Sequence, residues 1–347
     1  MLKYFLGSYI FTAIGFVLAY LWGEHVHAGS GWTCVFIAFV LSVLEVSLSF
    51  DNAVVNAMKL ENMSEKWRHR FLTWGIAIAV FGMRLVFPIA VVAIFAKLSM
   101  LQVAKIAVTD SMQYAHYLHV THAPIVSFGG AFLMMLFLNY FFNREKDIHW
   151  IAPVERLLCN FDLKGIETSI TLLILLILQS YVEQSHAVLI SGIAGVITFL
   201  MIEGFSHWLE QKDAERAKLC AETVKCSGLV GFLYLELIDA SFSLDGVLGA
   251  FALSKDILII TVGLSIGAMF VRSLTIMLVE KKTLEQFIYL EHGAHWAIGT
   301  LAVLMFVSTF YEVPEVVTGV LGLVFIGASL VSSILHNKKK TEEGSEC

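Results

Sequence analysis

The stretch "LEVSLSFDNAVVNA", Leu44–Ala57, carries two carboxylates, Glu45 and Asp51, and an amide, Asn52, inside a run otherwise apolar enough to lie in lipid. An ionised side chain at the bilayer centre costs about 2.5–3.5 kcal/mol on insertion scales, so acids in such a place are functional by default. The chain does the same thing again. With Asp51 laid over Asp245, "EVSLSFDNAVVNAM" lies over "DASFSLDGVLGAFA". Glu45 then meets Asp239, Ser47 meets Ser241 and Ser49 meets Ser243. Each stretch is followed by a second matched feature: "GIAIAVFGMR" ends at Arg84 and "GLSIGAMFVR" at Arg272. Each half thus has an acid-bearing segment followed by an arginine-bearing one.

The bulk composition says what surrounds these acids. Of the 347 residues, 58% are hydrophobic and 15% charged, with a mean hydropathy of +0.77. A soluble domain is roughly 45–50% apolar and about 25% charged. The chain therefore reads as all-α, a polytopic bundle of membrane helices forming a single membrane domain over residues 1–347. The five cysteines, Cys34, Cys159, Cys220, Cys226 and Cys347, form no CxxC pair and no metal-finger spacing. The N-terminus lacks a cleavage site and reads as a first membrane helix. No phosphate loop, nucleotide module, nucleic-acid patch or ATPase motif is visible, and no catalytic residue is expected.

A crossing needs about 20 apolar residues. Ten segments qualify, near 4–22, 33–58, 71–96, 125–142, 167–182, 187–207, 228–252, 257–279, 295–311 and 315–335, the fifth being the shortest. With the N-terminus on one face, 18 of the 23 lysines and arginines fall on that face and three on the other. The remaining two, Arg84 and Arg272, lie within spans. That asymmetry follows the positive-inside rule and puts both termini in the cytoplasm of a bacterial inner membrane. Residues 208–227 read as a short amphipathic cytoplasmic linker helix and 336–347 as a disordered cytoplasmic tail.

The two acid motifs fall in spans two and seven, an odd number apart. The first repeat, 33–142, and the second, 228–335, then run in opposite directions across the membrane. Inverted repeats of this kind place a transport site near the midplane. Five acids are at issue: Glu45, Asp51, Glu236, Asp239 and Asp245. Arg84 and Arg272 can balance two of them; the rest need protons, water or a bound cation. On an unbroken helix Asp51 and Asp245 would sit roughly 120° from Glu45 and Asp239. They converge if the serine-, asparagine- and glycine-rich stretches unwind locally. The site is oxygen-rich, without cysteine or histidine in either motif, which suits Mg²⁺, Ca²⁺ or Mn²⁺ rather than copper or zinc. Read structurally, the same acids would only hold helices together through arginine pairs.

At these residues the chain resembles the TerC family of integral membrane proteins, within the lysine-exporter-like superfamily. The resemblance rests on "SFDNAVV" (Ser49–Val55), "RHRFLTWGIAIAVFGMR" (Arg68–Arg84), "ELIDASFSLDGVLGAFALS" (Glu236–Ser254) and, more loosely, "FIYLEHGAHWAIGTLAVLMF" (Phe287–Phe306). It covers roughly 33–140 and 228–335. It implies a divalent-cation exporter, linked in that family to manganese homeostasis and tellurium resistance. It also implies Glu45, Asp51, Asn52, Glu236, Asp239 and Asp245 as metal ligands, with Arg84 and Arg272 balancing charge and gating. Gly246 departs from the pattern, since many members carry serine after that aspartate.

The expectation is thus a secondary transporter exporting Mn²⁺, coupled to protons through the same carboxylates. The metal and protons are cargo, no resident cofactor is needed, and the partners expected are the lipid bilayer and no nucleic acid. A membrane scaffold or metallation partner is the alternative. An intramembrane aspartyl protease using Asp51 and Asp245 is disfavoured, because neither sits in a GxGD sequence. His116, His119 and His122 in "HYLHVTH" share a helical face in an outer loop and read as interfacial polar residues. His292 and His295 follow Glu291 at the head of span nine, where a pairing with an acid is possible.

Overall fold

Within hydrocarbon the backbone must satisfy its own polar groups, which leaves a chain this apolar with helices. The computed structural model describes residues 2–345 apart from 27, 62, 144–147, 160–164, 183–184, 221–230, 234, 238, 240–246, 248–249, 251–253, 255, 282–286, 312 and 314. Among the described residues there is no strand. The helices run in order α1 (Leu2–Val26), α2 (Gly31–Leu48), α3 (Phe50–Glu61), α4 (Glu65–Ala77), a π-helical turn (Ile78–Val86), α5 (Phe87–Ala96), α6 (Met100–Thr109) and α7 (Ser111–Phe142). They continue as α8 (Ala152–Cys159), α9 (Ile166–Gln179), α10 (Ser185–Cys220), α11 (Ile257–Glu280), α12 (Leu290–Ser308) and α13 (Glu315–Ser345).

Six of these helices are long and apolar enough to cross a membrane, and two bent pairs raise the number to eight among the described residues. They correspond to eight of the ten spans expected. Of the other two, 228–252 lies largely outside the described residues. The fifth, α9, has only 14 residues. That is a rise of about 21 Å against a hydrocarbon core of roughly 30 Å, a difference that a short span meets by thinning the bilayer around it. Two further segments differ from the sequence reading. The histidine segment is the start of the 32-residue α7 rather than a loop. Helix α13 carries on to Ser345, through the segment expected as a disordered tail; its lysines and glutamates are good helix formers. Helix α10 likewise runs without a break from its apolar part into the linker, as far as Cys220.

The bent pairs position the site. The first breaks between α2 and α3, where the axes turn by 53°. At the break Ser49 sits at φ −100°, ψ 16°, and its N–H donates to the Glu45 carbonyl. Its hydroxyl donates to the Glu45 carboxylate at 2.9 Å, the local competition that makes serine a helix breaker. The second pair, α4 and the π turn leading into α5, bends by 47°. Pro88 follows the π turn. It has no N–H to donate one turn back, and its ring crowds the carbonyl of Arg84; a wider turn relieves both.

Helices α7, α11 and α12 form the covered centre, while α1, α10 and α13 leave most of their apolar side chains uncovered, as lipid-facing helices do. Helix α7 packs against α10 and α12 through Phe132, Leu133, Met135 and Phe306. Glycines set the closeness of the α7–α10 contact. A methyl group on Gly195 would lie 2.3 Å from the carbonyl oxygen of Phe128. Gly195→Ala is therefore expected to destabilise the chain by about 1–3 kcal/mol, the usual cost of overpacking. Gly204→Ala on the same helix, where a methyl meets nothing within 4 Å, should be neutral. Thermal unfolding of both variants in detergent checks this pair.

Candidate functional site

The helix break and the π turn face one another across α11, and the buried charges gather there. Glu45 projects from the last turn of α2, and Arg84 from the π turn. Their side chains form an ion pair through Arg84 Nη2. The same guanidinium donates through Nη1 to the Ala79 carbonyl, 2.6 Å away and five residues back. It also faces Asp239 Oδ2 of the second repeat at 3.8 Å. Asn52, on α3 just past the break, donates from Nδ2 to Asp239 Oδ1 at 2.6 Å. Asp239 is thus held from two sides by the first repeat.

The second arginine mirrors the first. Arg272, on α11, donates from Nη2 to the Gly75 carbonyl of α4 at 2.9 Å. It lies 3.5 Å from Glu236 Oε1. Its guanidinium carbon sits 3.8 Å above the Phe71 ring. A desolvated cation–π contact of this kind contributes about 2 kcal/mol. Each arginine thus reaches an acid of its own repeat and a group of the opposite one.

All six described groups are essentially shielded: Glu45, Asn52, Arg84, Glu236, Asp239 and Arg272 are each 7% exposed or less. Removing one partner of such a buried pair costs about 3–5 kcal/mol, because the other charge is stranded. Three carboxylates face two guanidiniums. Asp51 lies at the start of α3, but its side chain is outside the described set, and Asp245 is outside it altogether. Among the described residues no three His, Cys, Asp or Glu side chains are grouped closely enough to hold a metal ion. Glu45, Asn52, Glu236 and Asp239 therefore stand in a network of arginine and amide contacts.

Two glycines make room for this network, and neither was singled out as such from the sequence. A methyl group on Gly267 of α11 would lie 2.5 Å from Glu45 Cβ and 2.8 Å from the Ser42 carbonyl. On Gly75 it would lie 2.9 Å from Glu236 Oε1 and 3.0 Å from Arg272 Nη1. The glycines opening both arginine motifs were the available signal: Gly75 touches the charges, and its counterpart Gly263 packs on Leu41 and Ala38.

A further buried carboxylate lies outside this network. Glu155 of α8 is 1% exposed. It accepts from the N–H groups of Trp150 and Ile151 at 3.0 and 3.2 Å. It also accepts from Trp296 Nε1 at 3.1 Å and faces His292 Nδ1 at 3.0 Å. The acid beside His292 is thus Glu155 and not the neighbouring Glu291. Burial raises the Glu155 carboxyl, but the bonds from His292, Trp296 and Ile151 outweigh it and hold the pKa at about 2. His295 stacks on Tyr140 with ring centroids 3.5 Å apart. His116 and His119 are exposed on the first turns of α7.

The chain belongs to the DUF475 family, described as a protein of unknown function, whose pattern matches residues 50–340. It is 30% identical over 149 residues to the uncharacterized membrane protein YceF of Bacillus subtilis (strain 168). That match spans 42% of this chain and 56% of YceF, so the chain covers little more than half of that relative's length. No solved structure matches it.

The Glu155 contacts carry a pH prediction. A carboxyl held below its ordinary 4.5 stabilises the fold fully above that value and ceases to do so as pH falls towards about 2. The unfolding temperature in detergent should drop over that window in the native chain. Glu155→Gln should already be less stable at pH 7 and show a shallower drop. For Gly267→Ala, which forces Glu45 away from Arg84, a loss of roughly 2 kcal/mol or more is expected, read as thermal stability.

Proposed function

We propose that this membrane protein is a secondary transporter of divalent metal cations, with Mn²⁺ exported from the cytoplasm as the leading substrate. The observation that carries the reading is a buried network, at a broken helix between two repeats, in which carboxylates outnumber arginines. Intramembrane acids of this kind mark ion pathways. Asp51 and Asp245, at matching repeat positions, would add two more oxygen ligands to a set already suited to a hard cation. The TerC-like motifs point the same way.

In this mechanism the arginines are tethered stand-ins for the cargo. Arg84 neutralises Glu45 and faces Asp239, while Arg272 neutralises Glu236. A cation arriving among the carboxylates displaces the guanidiniums. Their return, or protonation of the acids, releases the ion on the other side. The gradient that drives the cycle is that of protons, and both termini lie in the cytoplasm.

The test is Mn²⁺ flux in proteoliposomes, with Mg²⁺, Ca²⁺ and Zn²⁺ as competitors. Glu45→Gln, Asp239→Asn and Asp245→Asn should each lower the initial rate by about tenfold or more, since each removes a ligand charge used throughout the cycle. A well-folded native chain that moves no divalent cation overturns the proposal. The acids would then serve as a charge network of a membrane scaffold.

A further inference from the structure

Resting on that transport reading, we infer that the charge network is sealed by two apolar layers related by the repeat, an inner gate at Phe71 and Leu235 and an outer gate at Leu41. We further infer that a cavity between α4 and α11 is the cytoplasmic access route to the inner gate.

The cavity, of about 550 Å³, is lined by Leu60 of α3, by Glu65 and Arg68 of α4, and by Ile276, Val279 and Glu280 of α11. Its rim carries charges of both signs. Arg68 is already engaged, donating to the carbonyls of Leu60 and Glu61 at the end of α3. Two of the lining residues, Leu60 and Val279, also belong to a buried apolar cluster with Phe71 and Leu235. That cluster is the floor of the cavity. The network begins directly beneath it, because Arg272 rests on the Phe71 ring and Glu236 follows Leu235 in the chain. Along α11 the order is Val279, then Thr275, which donates to the Ala53 carbonyl of α3, then Arg272. One layer of side chains separates the cavity from the buried charges.

The other side has its counterpart. Leu41, Val247, Ala250, Ile260 and Leu264 form a separate buried cluster. Leu41 is one turn before Glu45 on α2, and Leu264 lies one turn before Gly267, which packs on Glu45. The alignment that lays Asp51 over Asp245 lays Leu41 over Leu235. The two layers therefore occupy matching places on opposite sides of the network. Alternating access needs two barriers that open in turn, and inverted repeats supply them as a related pair.

The test reads accessibility and does not need transport. Ser49→Cys puts a near-isosteric thiol in the network, between the layers. Ile276→Cys puts one in the cavity. Each is labelled with a charged, membrane-impermeant thiol reagent in right-side-out and inside-out vesicles. Modification at the introduced position is then quantified by peptide mass spectrometry, so the native cysteines remain. The thiol at 276 should label from the cytoplasmic face in an otherwise native chain. Combining Ser49→Cys with Phe71→Ala or Leu235→Ala should speed labelling from the cytoplasmic face by about tenfold or more, and with Leu41→Ala by a similar factor from the outer face only. An unreactive thiol at 276 removes the access route. Equal acceleration from both faces, or none in any truncation that retains native-like unfolding, removes the gates. Accessibility as expected with no cation flux leaves the gates standing and overturns the transport reading instead.

Discussion

A carboxylate in hydrocarbon must be neutralised, and much of this structure follows from how three described acids, Glu45, Glu236 and Asp239, meet two arginines. Arg272 meets Glu236 from the unbroken α11, whereas Arg84 and Glu45 lie on segments that depart from regular helix. The first acid-bearing span bends by 53° at Ser49, and the arginine-bearing span widens into a nine-residue π turn. Both departures weaken helices locally. They persist because a stranded buried charge costs about 3–5 kcal/mol, more than the distortion. Gly75 and Gly267 complete the arrangement by leaving space that any methyl group would fill.

The network joins the two halves of the sequence that carry the aligned motifs. Asp239 of the second repeat is bound by Asn52 and faced by Arg84 of the first, and Arg272 of the second binds the Gly75 carbonyl of the first. In the transport cycle proposed above, a rocking motion of one half against the other would break these contacts, and the cation would replace them. By contrast, Glu155 ties α8 to α12 through donors that fully surround it. A carboxylate so thoroughly satisfied has no unspent charge to offer a passing ion and reads as part of the fixed frame.

Much of this was legible in the chain itself, for stated physical reasons. Apolar runs near 20 residues announce spans, and acids within them announce a place where charge must be balanced, because lipid tolerates neither loops nor idle charge. Eight of the ten expected spans have described helices to match. The motif alignment placed Glu45, Asp239, Arg84 and Arg272 in equivalent roles, and the structure brings the four together. What was not legible depends on distant partners. Nothing near His292 points to Glu155, since Trp296 and Glu155 meet across 141 residues of chain. The π turn was missed because hydropathy has no signal for a wider turn; Pro88 was the clue. Helix α9 has the composition of a span and, with 14 residues, is short, as its apolar run already indicates.

The central claim is that arginine and cargo compete for the same carboxylates, and equilibrium Mn²⁺ binding to the purified protein tests it most directly. Electron paramagnetic resonance of free Mn²⁺ can be followed in detergent for the native chain, Arg84→Gln and Glu45→Gln. Competition predicts tighter binding in Arg84→Gln than in the native chain, and weaker binding in Glu45→Gln. Equal affinity in all three, with the fold intact, would contradict it and leave the buried charges as a scaffold.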